Sequence, residues 1–389
     1  MKYTVQQDQR PYIDDVAQPP YEEESCRIGR RQAASGVPHF LNDFWYLPPC
    51  SRPSPQAGSR KRTVRGFFFV YQNMKVAVVV PAYNEEKLIA QTISTMPDFV
   101  DHIVVIDDAS SDETASEAID AGDPRMVLIR HEKNTGVGGA VCDGHQEALR
   151  LGCDVSVVMA GDGQMDPAYL PALLTPICDG TALFTKANRF YSRDSYRGMP
   201  KYRILGNIIL SFMTKLASGY WHLFDPQNGY TAIHRTALER LNLDRVAKDY
   251  SFENDLLINL NILRIPACDV PVPAVYGSEV STMRMHKVIP ALMAQLARGA
   301  GRRVVLKYVV FSFSPIALLL LAGLCLIAFG GAASTWVLIH TLGPASASAG
   351  SVLLASLPIL TGIHFLIGAL MLDIQESPDR RAAAGIGGS

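Results

Sequence analysis

Between Lys75 and Ala160 the chain alternates two apolar patterns. "KVAVVV" (75–80), "HIVVI" (102–106), "RMVLIR" (125–130) and "DVSVVMA" (154–160) are short, continuous and rich in β-branched residues, as strands buried on both faces are. Between them apolar residues recur at helical spacing over 85–96 (Leu88, Ile89, Ile93, Met96), and helices are predicted there, over 112–121 and over 137–151. Buried strands alternating with helices predict a parallel sheet with helices on both faces. Ligands in such folds bind beyond the carboxyl ends of the strands.

The pattern changes twice outside this region. No Asp, Glu, Lys or Arg occurs between Lys307 and Asp373, and 309–330 and 351–372 are each long enough to cross a bilayer. "GPASASAG" lies between them, with Arg298, Arg302, Arg303 and Lys307 before the pair and Arg380 and Arg381 after it. Basic flanks favour the cytoplasmic side, so a hairpin with both ends in the cytoplasm is predicted. Small residues in the spans, Gly323 and Gly368, would allow helix contacts and a homo-oligomer. Upstream, Met285, Val288, Ile289, Leu292, Met293 and Leu296 share one helical face beside Lys287 and the arginines. This amphipathic helix suits an anionic membrane surface, with Pro290 either kinking it or delaying its start. Residues 1–73 carry no period and are rich in Pro, Glu, Arg and Gln, a disordered composition. Met74 directly precedes the first strand, so 1–73 reads either as a mis-called extension or as a regulatory tail. The expected division is 74–280 for the α/β domain, 281–307 for the juxtamembrane helix, 308–374 for the spans and 375–389 for a cytoplasmic tail.

Charge and cysteine content narrow the function classes. A net charge of −1 gives no field that would attract nucleic acid. The 7 cysteines include no C-x-x-C pair, which argues against a disulfide framework or a zinc site.

The chemistry-bearing residues cluster at the strand exits. The first exit, "PAYNE", offers an aromatic face, an amide and a carboxylate, or simply a helix start capped by Asn84. In "IDDASSDET", Asp107 and Asp108 offer acceptors for ribose hydroxyls and an imide N–H, while Ser110 or Ser111 suits a helix cap. "NTGVGGA" is a glycine-rich turn that either cradles a diphosphate or only turns the chain; it lacks the Walker lysine and the dinucleotide spacing. "MAGDGQMDP" ends a strand with Asp162 and Asp166, the second placed to cap a helix at Pro167.

Taken in order, these four motifs, with "DPQNGYTAI" (225–233) and "YSFENDLL" (250–257), resemble the family 2 glycosyltransferases over about residues 75–265. The resemblance implies the GT-A nucleotide-diphospho-sugar transferase fold. The two spans that follow make the chain look most like the branch that glycosylates polyprenyl phosphates. Donor contacts would then come from Pro81, Tyr83, Glu85, Asp107, Asp108, Asn134, Gly136, Asp162 and Gln164, with Asp108 on the base. Asp162 would hold Mg²⁺ or Mn²⁺ against the donor diphosphate. Ala160 stands where the family usually carries a further aspartate, and Asp166 is the candidate to replace it. Asp162, Glu253 and Asp255 are the catalytic candidates, and acids in a helix's first turn are also ordinary there. An acceptor phosphate would meet Arg189, Arg197, Arg203, Arg284, Gln227 and Asn228. The expected reaction is inverting transfer from a UDP- or GDP-sugar to polyprenyl phosphate at the inner face of a bacterial membrane. A processive polysaccharide synthase is the alternative enzyme, although "QLARG" (295–299) has Gly299 where that branch carries Trp. A non-catalytic membrane scaffold is the other alternative, and a nucleotide-dependent oxidoreductase fits the glycine spacing poorly.

Overall fold

The computed structural model describes residues 74–191, 201–249, 251–273, 285–342 and 347–378. The expectations for 1–73 and 379–389, and those for Arg197 and Arg284, lie outside the described residues. Seven strands form one sheet: β1 (Val76–Ala82), β2 (His102–Asp107), β3 (Met126–Arg130), β4 (Val155–Val158), β5 (Phe184–Asn188), β6 (Thr231–His234) and β7 (Ala267–Pro271). Their order is β3-β2-β1-β4-β6-β5-β7, and β6 runs antiparallel to both β4 and β5. The other pairings are parallel.

The β-branched runs become central strands because both faces are covered. Val76, Val78 and Val80 of β1 pack with Ile103 and Val105 of β2 against α1 (Ile89–Ser94) and α4 (Leu170–Cys178). Val79, Val104 and Ile106 point the other way, onto Ala140 of α3 (Val137–Arg150). Each valine so buried contributes roughly 1.5–3 kcal/mol. Gly144 of α3 faces Val79 so closely that a Cβ would strike the valine's methyl groups.

Two helices begin later than their apolar spacing suggests. Turns occupy the residues before Ile89, where Leu88 and Ile89 both donate to the Glu85 carbonyl at 3.0 Å. In α2 (Thr114–Asp120), Asp112 Oδ1 accepts from Thr114 N at 3.1 Å, which places the first helical turn after the acid.

The second half adds α5 (Lys201–Ser218), α6 (Arg235–Arg240), α7 (Phe252–Ile262) and α8 (Met285–Arg303). Phe252, Leu256, Leu257 and Leu260 of α7 join the core under β5 and β6, and Ile258 and Ile262 pack on Leu292 and Leu296 of α8. Pro290 lies within α8 and does not end it. A π-helical stretch (Val304–Val310) leads into α9 (Pro315–Thr341) and α10 (Ala349–Gln375), both long and apolar enough to cross a membrane. Gly323 faces Gly362 across this pair, and Gly368 faces Leu319, so these small residues serve contacts within the hairpin.

One charged knot ties the hairpin to the sheet domain. Asp373, near the end of α10, accepts from Arg303 at 2.6 and 3.1 Å, from Trp221 Nε1 at 3.1 Å and from the Tyr308 hydroxyl. Arg303 is 3% exposed and also donates to the Ala217 carbonyl at the end of α5. Removing one partner would strand a buried charge. Asp373→Ala should therefore cost roughly 3–5 kcal/mol, read as a lower unfolding temperature in detergent.

Candidate active site at the strand ends

The first two exits are laced together. Asn84, with φ 58°, donates its amide to Ser110 Oγ at 3.0 Å and accepts from Ser111 N at 2.9 Å. Glu85 N donates to Thr114 Oγ1 at 2.8 Å and Glu86 N to Asp112 Oδ2 at 3.3 Å. Asn84 is therefore a link between loops, in a left-handed conformation asparagine tolerates, and not the cap of α1. Tyr83 remains 51% exposed beside it.

Asp107 and Asp108 are buried and already have partners. Asp107 accepts from Ser110 N at 2.9 Å and pairs with Arg130 at 3.1 Å. Asp108 accepts from His131 Nδ1 and Thr135 N at 2.8 Å, and from Thr135 Oγ1 and Gly136 N at 2.9 Å. Burial works to raise the Asp108 pKa, but the bonds from Thr135, His131 and Gly136 outweigh it and hold it below the ordinary value. The carboxylate expected on the base thus organises the loop after β3. Gly136, at φ 84°, also takes Asn134 Oδ1 at 3.1 Å, and Gly138 and Gly139 donate to the Lys248 carbonyl at 3.0 and 3.3 Å. Those amides are satisfied by protein, so the glycine turn forms no open phosphate cradle. Beside these loops a cleft of about 440 Å³ is lined by Ala109, Ser110, Arg130, His131 and Glu132. Ala109 holds a strained φ of 61° there.

The fourth exit joins the first because β1 and β4 pair. Met159 N and Gly161 N donate to the carbonyls of Val79 and Pro81 at 2.9 and 3.2 Å, so the acid-bearing loop runs alongside Pro81. Asp162 Oδ1 accepts from Gln164 N at 3.0 Å, and Asp166 Oδ1 accepts from Ala168 N at 2.8 Å. Asp162, Gln164 and Asp166 line a second cleft, of about 680 Å³, with α1 opposite. Among the described residues no three His, Cys, Asp or Glu gather as a metal cage. Two carboxylates on one cleft nonetheless suit Mg²⁺ or Mn²⁺, which commonly take one or two carboxylates and complete their shell with phosphate and water.

The downstream motifs meet on the other side of that loop. A Cβ on Gly229 would lie 3.4 Å from Met165 Cε and 3.8 Å from Glu253 Oε1, so the DPQNGY turn sits between the acid loop and α7. Glu253 is partly exposed, and burial raises its carboxyl pKa although Lys186 opposes this. Asp255 is buried: it accepts from Arg302 at 2.6 Å and from Ala247 N at 3.0 Å, binding α7 to α8 and to the segment under the glycine turn. Neither acid is the solvated first-turn residue that its position suggests, and Asp255 faces α8 instead of the clefts. Arg189 grips Asp225 at 2.7 and 3.0 Å, and Gln227 Nε2 donates to Asn254 Oδ1 at 3.2 Å. Asn228 turns its carbonyl to Lys186 and its Oδ1 to Tyr230 N. Arg203 is in α5, and its side chain lies outside the described residues.

Lys186 and Asp269 escaped the sequence reading. Each sits on a short strand, β5 or β7, where a single charge in an apolar run marks no motif. Only the presence of a lysine inside "LFTKAN" hinted at a buried partner.

Because Asp108 organises the loop after β3, Asp108→Ala should lower the unfolding temperature, since hydrogen bonds to charged groups are worth about 1.5–3 kcal/mol each. Its lowered pKa means the stabilisation is complete above the ordinary aspartate value and disappears as pH falls through the folded one. The gap in unfolding temperature between wild type and variant should therefore close below about pH 4.

Residues 77–241 match the model of glycosyl transferase family 2. The UDP-N-acetylglucosamine–dolichyl-phosphate N-acetylglucosaminyltransferase of Methanococcus voltae is 29% identical over 229 residues, 55% of this chain and 90% of the relative. The undecaprenyl-phosphate mannosyltransferase of Micrococcus luteus is 29% identical, over 51% of this chain and 83% of its own. Glucosyl-3-phosphoglycerate synthase from Mycobacterium tuberculosis, solved with Mn²⁺, UDP-glucose and phosphoglyceric acid, aligns at a TM-score of 0.48 and 21% identity, over 64% of this chain and 85% of that one. With the family's ordered motifs brought to one end of a mostly parallel sheet, residues 77–241 form a glycosyl transferase family 2 domain, with the GT-A fold.

Proposed function

We propose that this enzyme transfers a sugar from a nucleotide-sugar to a polyprenyl phosphate, with inversion, at the cytoplasmic face of a membrane. The observation that carries the reading is the convergence of the Asp162–Asp166 loop, the DPQNGY turn and Glu253 on a domain tied to an apolar hairpin through Asp373. The names of the Methanococcus and Micrococcus relatives support the lipid phosphate.

The membrane side of the domain supports it as well. Leu205, Ile208, Ile209, Phe212 and Leu216 of α5 form one helical stripe, each 40–58% exposed. Phe212 stacks edge-on against Trp221, which is itself bonded to Asp373. The stripe therefore reaches the base of the hairpin, and a lipid surface would cover both. An acceptor head group emerging from that surface would arrive beside the site.

The chemistry follows from the acceptor. A phosphate oxygen is anionic near neutral pH, its second ionisation lying near about 6, so it attacks the anomeric carbon without a base. The bond to the donor's diphosphate breaks as the new one forms on the opposite face, and the nucleoside diphosphate leaves. Asp162, with Asp166 in place of the acid missing at Ala160, would hold the divalent cation. That cation supplies charge neutralisation to the leaving diphosphate. Tyr83, Pro81 and Glu85 border the donor, and Arg189, with Gln227 and Asn228, orients the acceptor phosphate.

A processive synthase fits less well. Gly299 stands where that branch carries tryptophan, and Ile258 Cδ1 fills the space beside it. The scaffold reading predicts donor binding without turnover.

Purified protein in detergent, given radiolabelled UDP- and GDP-sugars and undecaprenyl or dolichyl phosphate with Mn²⁺, should yield one labelled lipid. Absence of turnover from every donor that binds would leave only the scaffold. Asp162→Ala should abolish transfer, by ~10³-fold or more, with the fold intact. Asp166→Ala should raise the Mn²⁺ concentration needed for half-maximal rate; an unchanged metal titration would mean that this acid is no substitute. Glu253→Gln should cost less than ~10-fold, because general-base loss costs about 10²–10⁴ and no base is needed.

A further inference from the structure

Lys186 is 1% exposed, on the middle of β5, and its ammonium donates to the carbonyl of Asn228. Three carboxylates act on it from three directions: Asp225 from the turn before β6, Glu253 from α7 and Asp269 from β7. A buried cation is retained only where partners offset its desolvation, and here one partner belongs to the acceptor turn and another borders the reacting end of the site.

The charges around it are nearly balanced. Arg189, just past β5, neutralises Asp225 through its two-pronged contact. Asp269 accepts from Phe224 N at 2.7 Å and from Asn188 Nδ2 at 3.0 Å, both at Oδ2, while its Oδ1 is buried without a hydrogen-bond partner. Asp249 acts on Glu253 from the segment before α7, and Lys215 acts on Asp269 from α5. Three cations (Lys186, Arg189, Lys215) thus face four carboxylates (Asp225, Asp249, Glu253, Asp269). Without Lys186 the excess negative charge doubles, next to the turn proposed to receive a phosphate.

We infer that Lys186 is a positioning residue for the acceptor half of the reaction: it fixes the turn formed by Gln227, Asn228 and Gly229 through the Asn228 carbonyl and offsets the carboxylates beneath it, so that an anionic acceptor can approach. This rests on the polyprenyl-phosphate reading. The donor contacts lie at the β1, β2 and β4 exits, and Lys186 touches none of them among the described residues. Its loss should therefore act on the acceptor more than on the donor, whose loop the turn meets through Tyr230 and the Asp166 carbonyl.

The direction with pH is also set. Burial raises the carboxyl of Asp269 to about 6, and burial raises that of Glu253, against the opposing pull of Lys186 on both. With Lys186 gone both take up protons more readily, and acidification should remove the excess charge.

The test is the lipid-phosphate transfer assay on full-length wild type and Lys186→Met. The variant should raise the acceptor KM ~10-fold or more with a smaller rise in the donor KM, and lowering the pH from about 8 to about 6 should narrow the acceptor gap. An unchanged acceptor KM, or equal rises for donor and acceptor, would overturn the inference. Should Lys186→Met fail to elute as a folded species in detergent, Lys186→Met/Asp269→Asn restores the charge balance. A rescue of folding without rescue of acceptor KM would then count against it, and recovery of both would support it. No transfer to lipid phosphate by wild type would overturn the acceptor reading and this inference together, whereas failure in the variant comparison alone would overturn only the inference.

Discussion

Everything at the site depends on the parallel pairing of β1 with β2 and with β4. A buried strand must satisfy its amides on both edges, and the register that does so aligns Ala82 with Asp107 and Val79 with Val158. Three chain exits separated by dozens of residues are thereby forced to one rim. Groups there then bond across exits: Asn84, through its backbone amide and its side-chain oxygen, to the serines after β2, and the Gly161 amide to the Pro81 carbonyl. The polar residues at the strand ends are as much the mortar of the rim as its chemistry. Asp108 shows the consequence, since its carboxylate is consumed in ordering the loop that follows β3.

The sheet's first half was legible in the sequence because each strand there is a β-branched run and each helix has an apolar face. β1 to β4 and α3 fall within a residue or two of their expected bounds, and the late starts of α1 and α2 trace to side chains that outcompete the helix for backbone amides. The second half was legible mainly as motifs. β5 and β7 are five residues each and carry a lysine and an aspartate, so no periodicity announces them. The antiparallel β6 follows from the DPQNGY turn, whose geometry a pattern of apolar positions does not encode. Within the candidate site, residue identity was readable and orientation was not. Asp255 and Glu253 are two residues apart in one helical turn, and that spacing sends one towards α8 and the other towards Gly229.

Two buried charge groups mark the chain's second half, and both stand at joints. One, around Asp373, joins the hairpin to the ends of α5 and α8. The other, around Lys186, joins β5, β7, the DPQNGY turn and α7. Apolar contacts would serve stability at least as well in either place, since ion pairs buried in protein rarely exceed their desolvation cost. What charged, directional contacts add is a single arrangement. A surface that only packed could slide, whereas Arg303 forked on Asp373 admits one orientation of the hairpin relative to α5.

That constraint bears on Ala160. A site with fewer acids holds a cation less tightly, and a carboxylate supplied from Asp166 instead must come from a turn stiff enough to present it. The turn has that stiffness: Asp162 and Asp166 each tie one oxygen to the backbone two residues on, Ala160 N meets Met165 Sδ at 3.2 Å, and the Tyr230 hydroxyl donates to the Asp166 carbonyl at 3.0 Å. Tyr230 belongs to the DPQNGY segment, so the same turn that Lys186 holds from below also braces the acid loop. On the proposed reading the donor's cation and the acceptor's phosphate are positioned by one rigid piece of chain. A loop short of one carboxylate can tolerate the loss because its remaining two are not free to wander.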